Sequence, residues 1–273
     1  MIWLGPAGIP LVSKERNTLE GIRTVARLGL NAMEIQFVRG IKMNLAYAKE
    51  CGKVAKELNV KLSIHAPYYI NLSSKDVRKV EASKERILAS VERAIVMNAE
   101  IVVFHPGYYG SLSKEKVFEL IKEGCEEIVE EIKGKNVFLG LETTGRVSQF
   151  GELEEIIRVC KEVKGCVPVI DWAHVYARNG GKIDYSKILD IVEKLKLPYL
   201  HTHFSCIDFS LLEEGKGNER RHLELKAGRP PFKPLAVEIL KRKMDVVIIS
   251  ESPILEEDSL RMKEVLEEIG YKW

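Results

Sequence analysis

The feature that most constrains the fold of this chain is the alternation of short apolar runs with longer amphipathic segments along its 273 residues. Eight runs rich in β-branched residues have the length of strands, and most are continuously apolar, as strands covered on both faces should be. They are Ile2–Gly5, Ala32–Phe37, Lys61–His65, Ile101–His105, Val137–Glu142, Val167–Asp171, Tyr199–Phe204 and Val246–Glu251.

Helices are predicted after the strands. Asp76–Met97, Lys114–Lys133 and Glu256–Gly270 each carry apolar residues on one face at helical spacing. Eight β–α units in alternation predict a parallel sheet, and eight strands close a (β/α)8 barrel, the TIM barrel. We therefore expect an α/β fold with one barrel domain over residues 1–273. An open doubly wound sheet is the alternative, but the turn GPAGIP lacks the G-x-G-x-x-G pattern. The stretch Ser205–Pro231 is predicted to be an irregular loop.

Composition narrows the class of protein. A net charge of +2 gives no global attraction to polyanions, so any such binding must come from local patches. The five cysteines form no C-x-x-C pair, which predicts free thiols in a reducing compartment. The N-terminus has no basic region before an apolar core, and we expect a cytoplasmic protein without a membrane span. Abundant Lys, Glu, Ile and Val with only two glutamines resemble a thermophile's composition. No sequence feature indicates an obligate protein partner.

Polar residues at the ends of the predicted strands are the informative feature for function. Active sites of TIM barrels lie at the C-terminal face of the strands, so these side chains should converge on one cavity. The converging residues are His65, His105, Glu142, Asp171, His174, His203 and Glu251, and the long loop adds His222.

Three carboxylates this close would repel each other, and divalent cations would relieve that repulsion. Imidazole together with carboxylate suits zinc or manganese, and the donor set exceeds the needs of one tetrahedral ion. A single strand-end histidine is more often a hydrogen-bonded core residue, but none of the six histidines lies on a predicted helix. His201 alternates with His203, so we choose His203 as the ligand and give His201 a structural or supporting role. Cys206 is interpreted as a packing residue.

At these residues the chain resembles the endonuclease IV family of apurinic/apyrimidinic endonucleases. The resemblance covers most of the chain. HPG and D-x-x-H also occur in sugar isomerases that share the barrel. The motifs that carry it are HAPYYINLSS from His65, HPG from His105, LETT around Glu142, DWAH from Asp171 to His174, and SESP around Glu251.

The resemblance implies a TIM barrel that binds two or three zinc ions, with manganese as the alternative metal. It also implies that the protein cleaves DNA 5′ to abasic sites through a hydroxide that bridges the metals. It implies that His65 and His105 hold the first ion and that Glu142 bridges to the second. Asp171, His203 and Glu251 would complete the second site, and His174 and His222 would hold the third. Glu142 and Glu251 are the predicted catalytic residues, and Tyr68 matches a family position near the DNA.

One departure from the family pattern affects the third ion. The family places an Asp two residues before the third-site histidine, in a D-R-H triplet, whereas this chain has Arg220-Arg221-His222. Glu219 is one residue out of register and could substitute after a shift of the loop. Arg220 and Arg221 are predicted to bind the substrate, because an arginine beside the metals could clamp a phosphate; an ordinary solvated loop is the alternative.

Three functions remain open from the sequence. The first is a phosphodiesterase of DNA repair acting on duplex DNA with abasic sites, supported by His65, His105, His174 and His222 as extra ligands. The second is a metal-dependent sugar isomerase or epimerase, which needs mainly Glu142, Asp171, His203 and Glu251. The third is a metal-dependent nucleic-acid-binding protein without catalysis.

Overall fold

Eight parallel strands form the centre of the molecule in a computed structural model that describes residues 1–273. The barrel strands are β1 (Ile2–Pro6), β2 (Ala32–Gln36), β3 (Lys61–His65), β4 (Ile101–Phe104), β6 (Phe138–Glu142), β8 (Cys166–Asp171), β9 (Leu200–Phe204) and β12 (Val246–Ser250). Their order around the sheet is β1-β12-β9-β8-β6-β4-β3-β2, with every pair parallel. The predicted barrel is confirmed, and no predicted strand is displaced by more than about a residue at either end, the usual uncertainty of strand boundaries.

The close approach of β1 and β2 depends on two residues, Gly5 and Asn31. A Cβ atom on Gly5 would lie 1.6 Å from the carbonyl oxygen of Ala32, so only glycine allows the strands to approach this closely. Asn31 replaces missing ladder bonds: its Oδ1 accepts from Leu4 N at 2.7 Å and its Nδ2 donates to Ile2 O at 3.1 Å. A single bridge between Ala7 and Glu34 completes the contact, so the barrel is nearly closed.

Nine helices surround the strands and bury their apolar faces against them. They are α1 (Thr18–Arg27), α2 (Leu45–Glu57), α3 (Val77–Met97), α4 (Lys114–Glu131), α5 (Leu153–Glu162), α6 (Trp172–Arg178), α7 (Tyr185–Glu193), α8 (Phe232–Arg242) and α9 (Glu256–Glu268). Side chains of Asn17, Asn44, Asp76 and Ser113 cap α1 to α4 by accepting a backbone N–H of the first turn. None of these helices is long and apolar enough to cross a membrane.

The stretch Ser205–Pro231, predicted to be an irregular loop, contains an antiparallel hairpin instead. Its strands are β10 (Cys206–Leu211) and β11 (Gly217–Leu223); the 3₁₀ turn Glu213–Gly215 connects them and the 3₁₀ turn Leu225–Ala227 follows. The prediction was wrong because β11 is rich in polar residues and β10 alternates apolar with polar ones, so neither has the continuous apolar run used to find strands. A second small antiparallel pair joins β5 (Gly107–Tyr108) to β7 (Gln149–Phe150).

All five cysteines are free thiols, as predicted, and four of them are buried. Cys206 donates weakly to the carbonyl oxygens of Leu225 and Pro230, at 3.4 and 3.5 Å. It thus helps to hold the base of the hairpin.

Candidate metal centre

The C-terminal ends of six barrel strands bring the predicted residues together. His65, Glu142 and Asp171 are the last residues of β3, β6 and β8, and His105 and Glu251 follow β4 and β12 directly. His203 lies within β9. Glu142, Asp171 and His203 are fully buried. The parallel register of the strands therefore places donors from distant parts of the chain in one pocket.

The first group of donors is His65, His105 and Glu142. One oxygen of Glu142, Oε2, lies 3.1 Å from His65 Nε2 and 2.9 Å from His105 Nε2. The other ring nitrogen of His65 donates to the carbonyl oxygen of Ala66 at 2.8 Å. That bond directs Nε2 toward the carboxylate, in the orientation a metal ligand requires.

The second group shares Glu142 and adds Asp171, His174 and Glu251. His203 joins it from β9, with Nδ1 3.1 Å from Glu142 Oε1 and 3.5 Å from Glu251 Oε1. Asp171 Oδ2 is buried without any hydrogen-bond partner. A buried carboxylate oxygen in this condition is costly unless a cation or a donor meets it.

His174 occupies the first turn of α6, although no histidine was predicted on a helix. The reason is that Asp171 ends β8 and at once caps the next helix, its Oδ1 accepting from His174 N at 2.7 Å. The capping bond leaves Oδ2 of Asp171 free to face the metal pocket. One aspartate thus fixes the position of the histidine three residues later.

The third group consists of His174, Glu219 and His222. His174 Nδ1 donates to the carbonyl oxygen of Thr143 at 2.9 Å, and its Nε2 lies 3.5 Å from Glu219 Oε2. Ser205 Oγ is 2.6 Å from His222 Nδ1, which leaves His222 Nε2 for the pocket.

A bulge in β11 brings Glu219 to this group. Arg221 pairs with Asp208 and Glu219 pairs with Phe209, so Arg220 is an extra residue without a cross-strand partner. The extra residue reverses the side-chain alternation and puts Glu219 on the same face as His222. The sequence left open whether Glu219 could substitute for the family's aspartate; the bulge places the Glu219 carboxylate near His174 and inserts Arg220 between donor and histidine.

The predicted substrate-binding residues lie at the rim of the pocket. The Tyr68 side chain is exposed, with its ring centroid 5.5 Å from that of His65. Arg220 and Arg221 are exposed on the hairpin beside the third group. The structure thus brings the tyrosine next to the first donor group, and it leaves both arginine side chains exposed on the strand that carries Glu219 and His222.

Sequence analysis missed one carboxylate, Glu34 on β2. It is fully buried and contacts both histidines of β9, His201 Nε2 at 3.0 Å and His203 Nε2 at 3.1 Å. An acidic residue inside an apolar strand was the available signal, since a buried charge requires a partner. His201 contacts Glu34 and not the other carboxylates, which agrees with the supporting role predicted for it.

Electrostatics couple these groups. Burial lowers the pKa of the His65 imidazole, but the hydrogen bond and the charge of Glu142 outweigh burial and raise that pKa to about 9. Burial also lowers the pKa of His174 and of His203. The negative charge of Asp171 at His174, and that of Glu34 at His203, are the main effects that outweigh burial, so both pKa values rise well above the ordinary value. Burial lowers the pKa of His201 and of His222, and it outweighs Glu34 at the first and Glu251 at the second.

The carboxyl groups divide into two kinds. Burial would raise the pKa of Glu142, but the charges of His105 and His203 hold it well below the usual range. Burial raises the pKa of Asp171 and of Glu251, and the charge of Glu142 adds to both shifts. Repulsion between neighbouring carboxylates is therefore present here, as the sequence predicted, and a divalent cation would relieve it.

The donor chemistry fits divalent metal ions. His65, His174 and His203 each direct one nitrogen to an acceptor outside the pocket and the other toward the carboxylates. Imidazole nitrogens and carboxylate oxygens are the ligands of zinc and manganese, and a metal would take the place of the inward proton. The unpartnered Asp171 Oδ2 is accounted for in the same way.

Comparison with known proteins agrees with the barrel fold. The profile of the family described as xylose isomerase-like TIM barrel matches residues 22–269. An uncharacterized protein of Methanocaldococcus jannaschii is 34% identical over 98% of both chains. A probable endonuclease 4 of Aster yellows witches'-broom phytoplasma is 26% identical over 90% of this chain and 89% of its own.

Two solved structures share the fold to nearly the same degree. Endonuclease IV from Thermus thermophilus has a TM-score of 0.74 at 22% identity, covering 96% of this chain and 99% of its own. A D-tagatose 3-epimerase-like protein has a TM-score of 0.72 at 21% identity, covering 91% of each chain. The predicted resemblance to endonuclease IV is confirmed, while the fold alone does not separate it from epimerases.

Proposed function

Because the chain belongs to the xylose isomerase-like TIM barrel family, we propose that it is a metal-dependent phosphodiesterase that cleaves DNA 5′ to abasic sites. The observation that carries this proposal is the third donor group, His174, Glu219 and His222, beside the two others. An isomerase needs only the central carboxylates and His203. A phosphodiesterase has to hold the attacking oxygen, the leaving oxygen and a phosphate together, and the additional donors would serve this purpose.

Glu142 and Glu251 would have different roles in this reaction. Glu142 has one oxygen toward His65 and His105 and the other toward His203, so it would bridge two ions. Divalent ions held here would lower the pKa of a bound water and neutralise charge on the phosphate. Glu251, between His203 and His222, would orient that water or the departing oxygen.

Substrate contacts would come from the rim. Tyr68 offers an exposed ring at the pocket mouth, suited to packing against a sugar or base. Arg220 and Arg221 are exposed on the strand that carries Glu219 and His222, and they would contact phosphates flanking the lesion. The arginines would therefore position the DNA backbone over the metals.

A sugar isomerase or epimerase is the second candidate. Glu142, Asp171, His203 and Glu251 form the four-residue set that such a reaction requires, and the structural likeness to the tagatose 3-epimerase-like protein is almost equal. This candidate gives no role to the third donor group.

The deciding experiment uses a duplex with one tetrahydrofuran abasic analogue, incubated with the zinc- or manganese-loaded protein with and without EDTA. A single metal-dependent nick 5′ to the analogue, absent from an undamaged duplex, is the expected result. Ketose epimerisation and hydroxypyruvate isomerisation are assayed in parallel. Turnover of a sugar substrate without a nick would overturn the proposal in favour of the second candidate.

A further inference from the structure

The carboxylate of Glu34 is fully buried, and four side chains from β2, β3 and β9 donate hydrogen bonds to it. Its Oε1 accepts from Gln36 Nε2 at 3.0 Å. Its Oε2 accepts from Ser63 Oγ at 2.9 Å, from His201 Nε2 at 3.0 Å and from His203 Nε2 at 3.2 Å, and this last nitrogen also lies 3.1 Å from Oε1. The carboxylate thus links β2 and β3 to β9 through the interior of the barrel.

The hydrogen-bond count argues against a separate metal ion at this place, although Glu34, His201 and His203 lie close enough to hold one. An ionised carboxylate has about four lone-pair sites, and the two oxygens of Glu34 together already accept from four donors. A metal ion would have to displace several of these bonds within a fully buried network. The arrangement is therefore that of a supporting group and not of a ligand.

The hydrogen bond to Glu34 determines which ring nitrogen of His203 is left to bind a metal ion. Its Nε2 carries the proton that is donated to Glu34, so in the neutral ring Nδ1 is the bare nitrogen. Nδ1 is the atom that faces Glu142 and Glu251. His65 and His174 are also held by their outer nitrogens, but by the backbone carbonyls of Ala66 and Thr143. Among these three histidines, only His203 has a carboxylate behind it.

We propose that Glu34 is a positioning residue that fixes the tautomer and ring orientation of His203 and strengthens its Nδ1 as a ligand of the second metal ion. The inference rests on the part of the proposed function that makes His203 a metal ligand, but not on the reaction catalysed. A carboxylate behind an imidazole ligand raises the basicity of that ligand, and losing such a partner lowers metal affinity by about 10- to 100-fold.

The test compares Glu34→Ala, Glu34→Gln and a control, Glu256→Ala. Glu256 is an equally buried carboxylate that accepts from the backbone nitrogens of Leu11 and Val12 and has no histidine partner. Zinc affinities are measured ion by ion through competition with a chelator. We expect Glu34→Ala to weaken one ion by about 10- to 100-fold, Glu34→Gln to weaken it less because an acceptor remains, and Glu256→Ala to leave all affinities unchanged.

A second readout does not require metal or activity. Nitrogen-15 NMR of the chelator-treated protein, recorded at a pH high enough to leave the His203 ring neutral, reports which ring nitrogen carries the remaining proton. Glu34→Gln keeps this measurement possible if Glu34→Ala fails to fold. A wild-type zinc affinity in both Glu34 variants would overturn the inference, and so would an equal loss at every ion, which would indicate a general structural role. Loss of one ion in a protein that fails to nick DNA would leave the inference standing and overturn the proposed reaction.

Discussion

Glu219 and His222 lie on the same face of β11, although three residues separate them, because Arg220 is bulged out of the strand. In a regular strand, side chains three apart point to opposite faces. We expect Glu219→Gln to lower the bound zinc by about one ion per chain, because three protein donors are the usual minimum for such a site. Arg220→Ala should keep the full zinc content. Elemental analysis of the dialysed proteins makes the comparison.

Deleting Arg220 tests the same relationship more directly. The deletion leaves the sequence Glu-Arg-His, in which donor and histidine are two apart and share a face without a bulge. The shortened protein should therefore keep its third ion. Loss of that ion on deletion, with full retention in Glu219→Gln, would show that the assignment of Glu219 is wrong.

Gly145 makes room for Glu219. A Cβ atom at this position would lie 2.7 Å from both Cβ and Oε2 of Glu219, and Glu219 N donates to the Gly145 carbonyl oxygen at 3.0 Å. We expect Gly145→Ala to destabilise the protein by about 1–3 kcal/mol through overpacking and to weaken the third ion selectively. Urea unfolding and zinc competition measure the two effects.

Gly124→Ala is the matched control for that substitution. Its added Cβ would meet Leu72 at an ordinary distance of 3.5 Å within α4. Replacing a helical glycine by alanine should stabilise the protein by up to about 1 kcal/mol without changing zinc binding. Equal zinc affinity in both variants would contradict the role given to Gly145.

The fold and most of the pocket could be predicted because both depend on patterns local to each strand. The run 246–249 is apolar throughout, and the polar residues after it, Ser250 and Glu251, mark the C-terminal face. His65 and Glu142 could be identified in the same way from the residues that end their strands.

Glu34 could not be predicted, and Glu219 only as a possible substitute, because both depend on contacts between distant segments. Glu34 meets His201 and His203 only when β2 and β9 face each other across the barrel interior. Glu219 reaches His174 only because of the bulge at Arg220, and a bulge is a property of the paired strands, not of either sequence alone.

Glu142 is the residue shared by the first two donor groups. Glu142→Ala should lose both bridged ions and reduce the rate of any metal-dependent reaction by a hundredfold or more, since metal ions contribute several kcal/mol of charge stabilisation and each ~1.4 kcal/mol is a factor of ten. Zinc content and the nicking assay are measured on the same preparation. A wild-type rate in this variant would refute the bridging role.

Chelator-treated protein should become less stable as the pH rises from about 6.5 to 9. The pKa of His65 is raised to about 9, so its protonated form stabilises the fold fully below the unfolded value, near 6.5, and this contribution disappears as the pH passes through 9. His174 and His203, whose pKa values are also raised, act in the same direction. His201 and His222, with lowered pKa values, remain neutral in this interval and contribute no slope.

Zinc affinity should change in the opposite sense over the same interval. Zinc competes with the proton on His65 Nε2, so its apparent affinity should rise with pH by up to about tenfold per unit. Thermal unfolding with EDTA and zinc competition, both from pH 6.5 to 9.5, check the two trends. His65→Asn should flatten each slope, whereas His201→Asn should keep both, because neutral His201 exchanges no proton in this range. A stability that is constant between pH 6.5 and 9 in the chelator-treated protein would rule out the imidazolium–carboxylate pairing of His65 with Glu142.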